Sequence, residues 1–192
     1  MVRTFGRIVS LPDFEDVARE TTGIAKARAT MVWNGEEQVA QLTVAGEGGT
    51  RIVGNLMDRL VSELDARRDR NRQLVVSPHE PLHLAIELLV VVDMGYLASD
   101  VAASCHNALL EHLSFERQDF GRAVHLSDIY AVTQSVPGVT GVTVEALHVK
   151  PDPGAPRPAE SRIVEHLPVG SHELAAIKDA GDVVVRTEGG GR

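Results

Sequence analysis

This chain of 192 residues contains eight histidines, and histidine is the side chain that proteins use most often to bind transition metals. His106 and His112 are six positions apart, which places them on different faces of a helix, and no HExxH or CxxC spacing occurs. His79 and His83 are four apart in a predicted loop and strand, where that spacing carries little information. We therefore predict structural or solvent-facing histidines and assign no metal ligand.

The candidate nucleophiles lack the neighbours that would activate them. Cys105 falls on the predicted inward face of a helix, where a small buried hydrophobic side chain is the simplest interpretation. None of Ser10, Ser127 and Ser135 lies in a GxSxG elbow. Neither residue type therefore indicates covalent catalysis.

Two acids, Asp13 and Asp128, recur at matching places in two related segments and could suggest a catalytic pair. Each falls in the first turn of a predicted helix, where a carboxylate interacts favourably with the helix dipole. We predict that both stabilise helix starts.

A glycine-rich stretch, VAGEGGTRIV at residues 44–53, could bind an anion through backbone N–H groups. It has neither a Gly-Lys-Ser/Thr sequence nor the GxGxxG pattern, and a tight turn explains its glycines at least as well. The basic run ARRDRNR at residues 66–72 ends a predicted helix, where cations are favoured. We assign no catalytic, cofactor-binding or metal-binding residue, and we predict that the chain is not an enzyme.

The composition argues against further classes of function. The formal net charge is −8 and the pI is near 5.4, which argues against binding to nucleic acid or to an anionic membrane surface. A single cysteine excludes an intrachain disulfide and favours a reducing compartment. The N-terminal segment lacks the apolar region of a signal peptide, and the longest apolar run is far too short to span a membrane. We expect a soluble cytoplasmic protein with a mainly aliphatic core.

One phrase occurs twice: residues 5–14 read FGRIVSLPDF, and residues 120–129 read FGRAVHLSDI. A repeated phrase usually preserves a packing unit, so we predict the same strand–helix–strand piece in both places. At a constant offset of 115 positions the identical pairs are Phe5/Phe120, Gly6/Gly121, Arg7/Arg122, Val9/Val124, Leu11/Leu126, Asp13/Asp128, Val17/Val132 and Gly23/Gly138.

Residues 11–22 have apolar side chains at a helical period, and Gly23 ends this predicted helix. The strand candidates IAKARATMVW and QVAQLTVAG follow. Between them, Asn34 and Gly35 indicate a hairpin turn because both residue types tolerate positive φ.

A second helix is predicted after Thr50, which could serve as its N-cap. Its apolar stripe consists of Ile52, Val53, Leu56, Met57, Leu60, Val61 and Leu64. If GRIV and QLVVSP are strands, residues 5–78 have the βαββαβ order of a ferredoxin-like unit.

The second half begins with LHLAIELLVVVD, whose alternating apolar residues indicate a half-buried strand. A helix at about residues 97–113 follows, and then the second copy of the phrase, which Pro137 and Gly138 terminate. The final strand of this half is VTGVTVEALHV. The fold class is therefore α+β, with two small ferredoxin-like units.

We place the domain boundaries at 1–79 and 80–150 for the two units, and at 151–192 for a Pro-rich linker and C-terminal arm. Four prolines in KPDPGAPRPAESR predict an extended arm, and we expect residues 150–180 to become ordered on a partner. A short turn and a last strand are expected in LPVGSHELAAI and DVVVRT. The terminal EGGGR is expected to be disordered.

Three segments together resemble the C-terminal part of baseplate J-like proteins, the baseplate assembly or wedge proteins of contractile phage tails and related injection systems. They are RTFGRIVSLPDFEDVARETTGIAKARA, RRDRNRQLVVSPHEPLHLAIELLVVVD and LSFERQDFGRAVHLSDIYAVTQSVPGVTGVTVEALH. The resemblance covers roughly residues 3–149 and, more weakly, LPVGSHELAAI. Family members are generally longer, with further domains before the position of Met1, so we expect a short form, a separate subunit or a truncated product.

The resemblance implies a structural role. Several copies would build wedges in a ring around the tube and anchor the sheath, with other baseplate subunits and the sheath and tube or hub proteins as partners. It implies no active site, cofactor, nucleic acid or membrane insertion. The alternative, from the residues alone, is a small soluble adaptor or ligand-binding module.

Overall fold

The computed structural model describes residues 7–69, 73–150 and 165–191. The chain divides into two compact units, residues 1–80 and 81–192, and both mix helices with strands. The α+β class is confirmed.

The first unit has the order α1 (Leu11–Glu20), β1 (Lys26–Trp33), β2 (Gln38–Ala45), α2 (Asn55–Arg67) and β3 (Leu74–Pro78). β1 and β2 form an antiparallel hairpin, β3 lies parallel to β2, and the sheet order is β1-β2-β3. Aliphatic side chains of the sheet and the two helices form its core, as the low aromatic content predicts. The fully buried members are Ala18, Ala40, Leu42, Val44, Leu60 and Leu64.

The ferredoxin-like arrangement is not confirmed in this unit. GRIV does not form a strand in the described part of the chain, where Ile8 makes only an isolated parallel bridge to Arg68. In a ferredoxin-like sheet that first strand separates the hairpin from the last strand. Here β3 pairs directly with β2, so nothing stands between them.

The prediction of Thr50 as a helix N-cap is wrong. Thr50 follows a short 3-10 turn, and its hydroxyl donates to the Glu47 carbonyl at 3.0 Å. The helix starts five residues later, after Gly54, whose φ of +63° and ψ of −139° are accessible mainly to glycine. Val53 is consequently exposed rather than part of the helix stripe.

The second unit contains β4 (Glu80–Leu97), α3 (Ala98–His112), β5 (Val124–His125), α4 (Leu126–Gln134) and β6 (Val139–Val149), followed by β7 (His166–Leu167), β8 (Glu173–Ala176) and β9 (Val183–Gly191). β4 is the centre of a four-stranded sheet and pairs with β6, β8 and β9. Its alternating residues Leu84, Ile86, Leu88 and Val90 are fully buried, as the sequence predicts.

The C-terminal residues belong to this sheet rather than to a separate arm. β9 runs parallel to β4 as far as Gly191, so the predicted disorder of EGGG is wrong. A Cβ atom on Gly189 would lie 2.8 Å from the Val92 carbonyl oxygen, and one on Gly191 would lie 2.9 Å from that of Met94. The glycines therefore allow close approach of two backbones. The Pro-rich stretch 151–164 lies outside the described residues.

The helix and the strand after it recur in both copies of the repeated phrase, but the strand predicted before the helix forms in the second copy, as β5, and not in the described part of the first. α1 and α4 begin at Leu11 and Leu126, which are repeat partners, and each helix is followed by a strand. Gly23 and Gly138, also repeat partners, have φ of +99° and +92° between helix and strand. This conformation requires glycine, which accounts for the identity.

Candidate interaction surfaces

The candidate nucleophile Cys105 is fully buried on α3. Burial raises the pKa of its thiol, which disfavours the reactive thiolate. Ser10 is the N-cap of α1, and the Ser135 hydroxyl donates to the Val132 carbonyl at 2.7 Å after α4. Both residues thus lie at helix ends, and the described contacts give these side chains structural roles.

Asp13 has the capping role that the sequence predicts. Its Oδ2 accepts the backbone N–H groups of Val9 at 2.9 Å and Ser10 at 2.8 Å. These two hydrogen bonds hold the pKa of the Asp13 carboxyl below its ordinary value. Asp128 likewise lies in the first turn of α4.

The glycine-rich loop uses its own backbone groups to close a turn. The N–H of Gly46 donates to the Thr50 carbonyl at 2.9 Å, that of Gly49 to the Gly46 carbonyl at 3.1 Å, and that of Thr50 to the Glu47 carbonyl at 3.2 Å. These N–H groups are directed into the loop, which favours the structural interpretation over an anion site.

The described part of the basic run forms ion pairs. Arg67 contacts Glu20 at 3.0 Å, which joins α2 to α1, and Arg68 contacts Asp65 at 2.6 Å. The remaining part of the run, residues 70–72, lies outside the described residues.

The four histidines that the sequence analysis considered occupy different surroundings. His106 Nε2 lies 3.0 Å from the Ala180 carbonyl oxygen, and His112 is the last residue of α3. His79 is buried and donates its backbone N–H to Val44, while His83 is half-buried on β4. The structure does not bring His106 and His112 to a shared position.

In each unit, a helix side chain accepts a hydrogen bond from a backbone N–H of an edge strand. The sequence analysis predicted neither contact. In the first unit the Glu15 carboxylate accepts the backbone N–H of Ala29 on β1 at 2.9 Å. In the second unit the Tyr130 hydroxyl accepts the N–H of Val144 on β6 at a longer 3.4 Å. Both the helix residues and the strand residues are repeat partners. The constant offset of 115 positions relates the two contacts to each other, and it is the sequence signal that could have indicated them.

The two edge strands then differ in burial. Beyond Ala29, the apolar residues Met31, Val32 and Trp33 of β1 are exposed, Trp33 by 63%. The repeat partners of Met31 and Val32 are Ala146 and Leu147 on β6, and both are buried, Leu147 to 1% exposure. The first unit therefore presents an apolar strand end that has a buried counterpart in the second.

A second exposed apolar group lies at the end of β4. Val91, Met94, Tyr96 and Leu97 are exposed, and Met94 is the most accessible of them. On the adjoining β9, Arg186 forms ion pairs with Glu145 of β6 and, at 3.6 Å, with Glu87 of β4. The second unit thus combines a charged sheet surface with an apolar strand end.

Comparison with known proteins agrees with the resemblance read from the sequence. Residues 6–77 match the Baseplate J-like central domain. The matched domain is thus the central one, and it covers the first unit of the chain. No curated protein matches the sequence.

The fold also has a counterpart among solved structures. A chain in the 6-fold symmetrised cryo-EM structure of the anti-feeding prophage (AFP) baseplate superposes with a TM-score of 0.55 at 16% sequence identity. The match covers 91% of this chain and 38% of that one, so this chain spans well under half the length of its structural neighbour. Among the described residues, no helix is long and apolar enough to cross a membrane.

Proposed function

We propose, from the premise that residues 6–77 are a Baseplate J-like central domain, that this chain is a structural component of the baseplate of a contractile injection system. The domain match is the observation that carries the proposal. The likeness of the fold to a chain of the AFP baseplate supports it over 91% of the chain.

The side chains that could have supported catalysis favour a structural role as well. Cys105 is buried, Asp13 stabilises a helix start, and the N–H groups of the glycine-rich loop bond within the loop. The chain also presents apolar strand ends at Met31–Trp33 and at Met94–Leu97. Exposed apolar groups of this kind are typical of protein–protein contacts. A non-enzymatic scaffold subunit binds its neighbours through such surfaces.

Within the baseplate we assign the chain to the wedge. Several copies form a ring around the tube and anchor the sheath, with other baseplate subunits, the sheath and the tube or hub proteins as neighbours. The chain is made in the cytoplasm and assembled there into the tail-like particle.

A tag on this chain, expressed in its native cells, tests the proposal. Particles recovered through the tag are imaged by electron microscopy and identified by mass spectrometry. We expect sheathed tubes, with this chain recovered alongside sheath and tube proteins. A tagged chain recovered alone, from cells in which such particles are abundant, would contradict the baseplate role. A small molecule bound to that free chain would instead support the adaptor alternative.

A further inference from the structure

We propose that Asn34 is a site of spontaneous modification, at which the side-chain amide is lost by deamidation through attack of the Gly35 backbone nitrogen. The site lies in the turn between β1 and β2, and it would react whether or not the chain belongs to a baseplate. Three observations carry the proposal: the open space at Gly35, the solvent-facing N–H of that residue, and two hydrogen bonds that hold the Asn34 side-chain oxygen.

The residue pair offers this reaction little steric resistance. The backbone nitrogen of one residue attacks the side-chain carbonyl carbon of the asparagine before it and closes a five-membered ring. A side chain on the attacking residue obstructs that approach, and glycine has none. Gly35 has a φ of +103°, and no atom beyond its chain neighbours lies within 4 Å of the place that a Cβ would occupy. Asn34 and Gly35 are both exposed, so water reaches the reacting atoms.

The attacking nitrogen is available for reaction. Within the turn, the N–H of Asn34 donates to the Glu37 carbonyl at 3.1 Å, and the N–H groups of Glu36 and Glu37 donate to Asn34 Oδ1. The N–H of Gly35 has no hydrogen-bond partner among the described residues. It therefore faces solvent, where a base can remove its proton.

The attacked carbonyl group is held by two donors. Asn34 Oδ1 accepts the N–H of Glu36 at 2.9 Å and that of Glu37 at 2.8 Å. Attack on Cγ moves the electron pair of the C=O bond onto Oδ1, so the tetrahedral intermediate is negatively charged at this atom. Preorganised N–H donors at such distances stabilise an oxyanion. Nδ2, the leaving group, has no partner within the described part of the chain.

The reaction requires water and no other co-reactant. The Gly35 nitrogen forms a bond to Asn34 Cγ and gives its proton to a solvent base. The bond between Cγ and Nδ2 breaks, and Nδ2 takes a proton from water and leaves as ammonia. Water then opens the cyclic imide at one of its two carbonyl carbons, which gives aspartate or isoaspartate at position 34. Nothing is oxidised or reduced.

Incubation of the purified full chain at mildly alkaline pH tests the proposal, with peptide mapping by mass spectrometry to follow replacement of the amide by a hydroxyl group. We expect Asn34 to lose its amide. Asn55 and Asn107, which are followed by a leucine and an alanine in α2 and α3, should keep theirs. A second sample, unfolded in guanidinium chloride at the same pH, measures the contribution of the fold. Loss at Asn34 should be at least as fast in the folded chain, because only the folded turn holds Oδ1 with two donors.

Two variants test the chemistry. Gly35→Ala should slow the loss at Asn34 severalfold, since its methyl group obstructs the approach to Cγ. Asn34→Gln should keep its amide, because the longer side chain would have to close a six-membered ring. Circular dichroism checks that each variant is folded, and the comparison of both variants in guanidinium chloride remains informative if the turn tolerates neither.

An Asn34 amide that survives in the folded chain while the unfolded chain loses it would overturn the inference. Equal loss in the native chain and in Gly35→Ala would also overturn it, because direct hydrolysis by water would then replace attack by the Gly35 nitrogen. Loss at Asn55 or Asn107 as fast as at Asn34 would contradict the role of the turn.

Discussion

The two segments that share the FGR phrase fold alike through a helix, a positive-φ glycine and a strand, and then differ in their surroundings. In the first unit, Val9 is 61% exposed and β1 ends in exposed apolar residues. In the second, Val124 is 3% exposed, and β6 lies beside the long central strand with Ala146 and Leu147 buried. The repeat preserves a packing unit, while the context of each copy decides which of its surfaces remains available.

The glycine pair shows the same division. A Cβ atom on Gly23 would lie 3.0 Å from the Leu56 side-chain tip, while one on Gly138 would lie 2.7 Å from the Tyr96 ring. Both glycines have a positive φ, but the space around the two residues differs. Identity between the copies is thus explained by backbone conformation, and the difference in crowding by the neighbours that each unit supplies.

The largest effects should come from the buried helix position of the repeat. Phe14 and its partner Ile129 are 1% and 0% exposed. Phe14→Ala should lower the free energy of unfolding of its unit by about 3–5 kcal/mol, and Ile129→Ala by about 2–5 kcal/mol, through lost burial and a residual cavity. Hydrogen exchange of the β2 amides for the first variant and of the β4 amides for the second, across a urea series, measures these losses.

The control for both is Val53→Ala at a 67% exposed position, which should cost under about 0.5 kcal/mol. A loss that small in either buried variant would show that the repeat does not mark a shared core position.

Intermediate effects should come from the glycines. Gly23→Ala and Gly138→Ala both place a side chain at positive φ, which costs about 1–3 kcal/mol. Gly138→Ala should be the more severe, because the added methyl would lie 2.7 Å from the Tyr96 ring and 3.0 Å from the Val101 side chain, whereas at Gly23 the nearest atom is a Leu56 methyl at 3.0 Å. Thermal unfolding of the two variants ranks them, and the reverse order would contradict the difference in crowding.

The smallest effects on stability should come from Glu15 and Tyr130, the side chains that accept hydrogen bonds from backbone N–H groups of the edge strands. Glu15→Ala removes a charge-assisted hydrogen bond of 2.9 Å and should cost about 1–2 kcal/mol, whereas Tyr130→Phe removes a 3.4 Å contact and should cost less than about 0.5 kcal/mol. Exchange of the Ala29 and Val144 amides reports each loss directly. Glu15→Gln, which keeps an acceptor, should recover part of the protection. If Glu15→Ala and Tyr130→Phe accelerated hydrogen exchange at Ala29 and Val144 equally, the hydrogen bond in the first unit would not be the stronger one.

Elements with local signals were predictable from the sequence. The hairpin follows from Asn34-Gly35, the central strand from the alternation around Ile86, and α4 from its repeat relation to α1. Each of these depends on residues close together in the chain. The capping role of Asp13 was predictable for the same reason, since its partners are three and four residues away.

The missed features depend on contacts between distant residues. The terminal glycines have the composition of a disordered tail, but they permit contact with the backbone at Val92 and Met94, which no local pattern reveals. Thr50 has the chemistry of an N-cap, yet the turn at Glu47 and Gly54 moves the helix start to Asn55. The order β1-β2-β3 likewise follows from a pairing choice between strands, which their individual sequences leave open.

The measurement that tests the account most directly is a cryo-EM map of the tail-like particle from the native cells. We predict that both units fit density at the baseplate end of the tube, with Met31–Trp33 of the first unit covered by protein. A map in which the baseplate is completely accounted for by other chains would contradict the account.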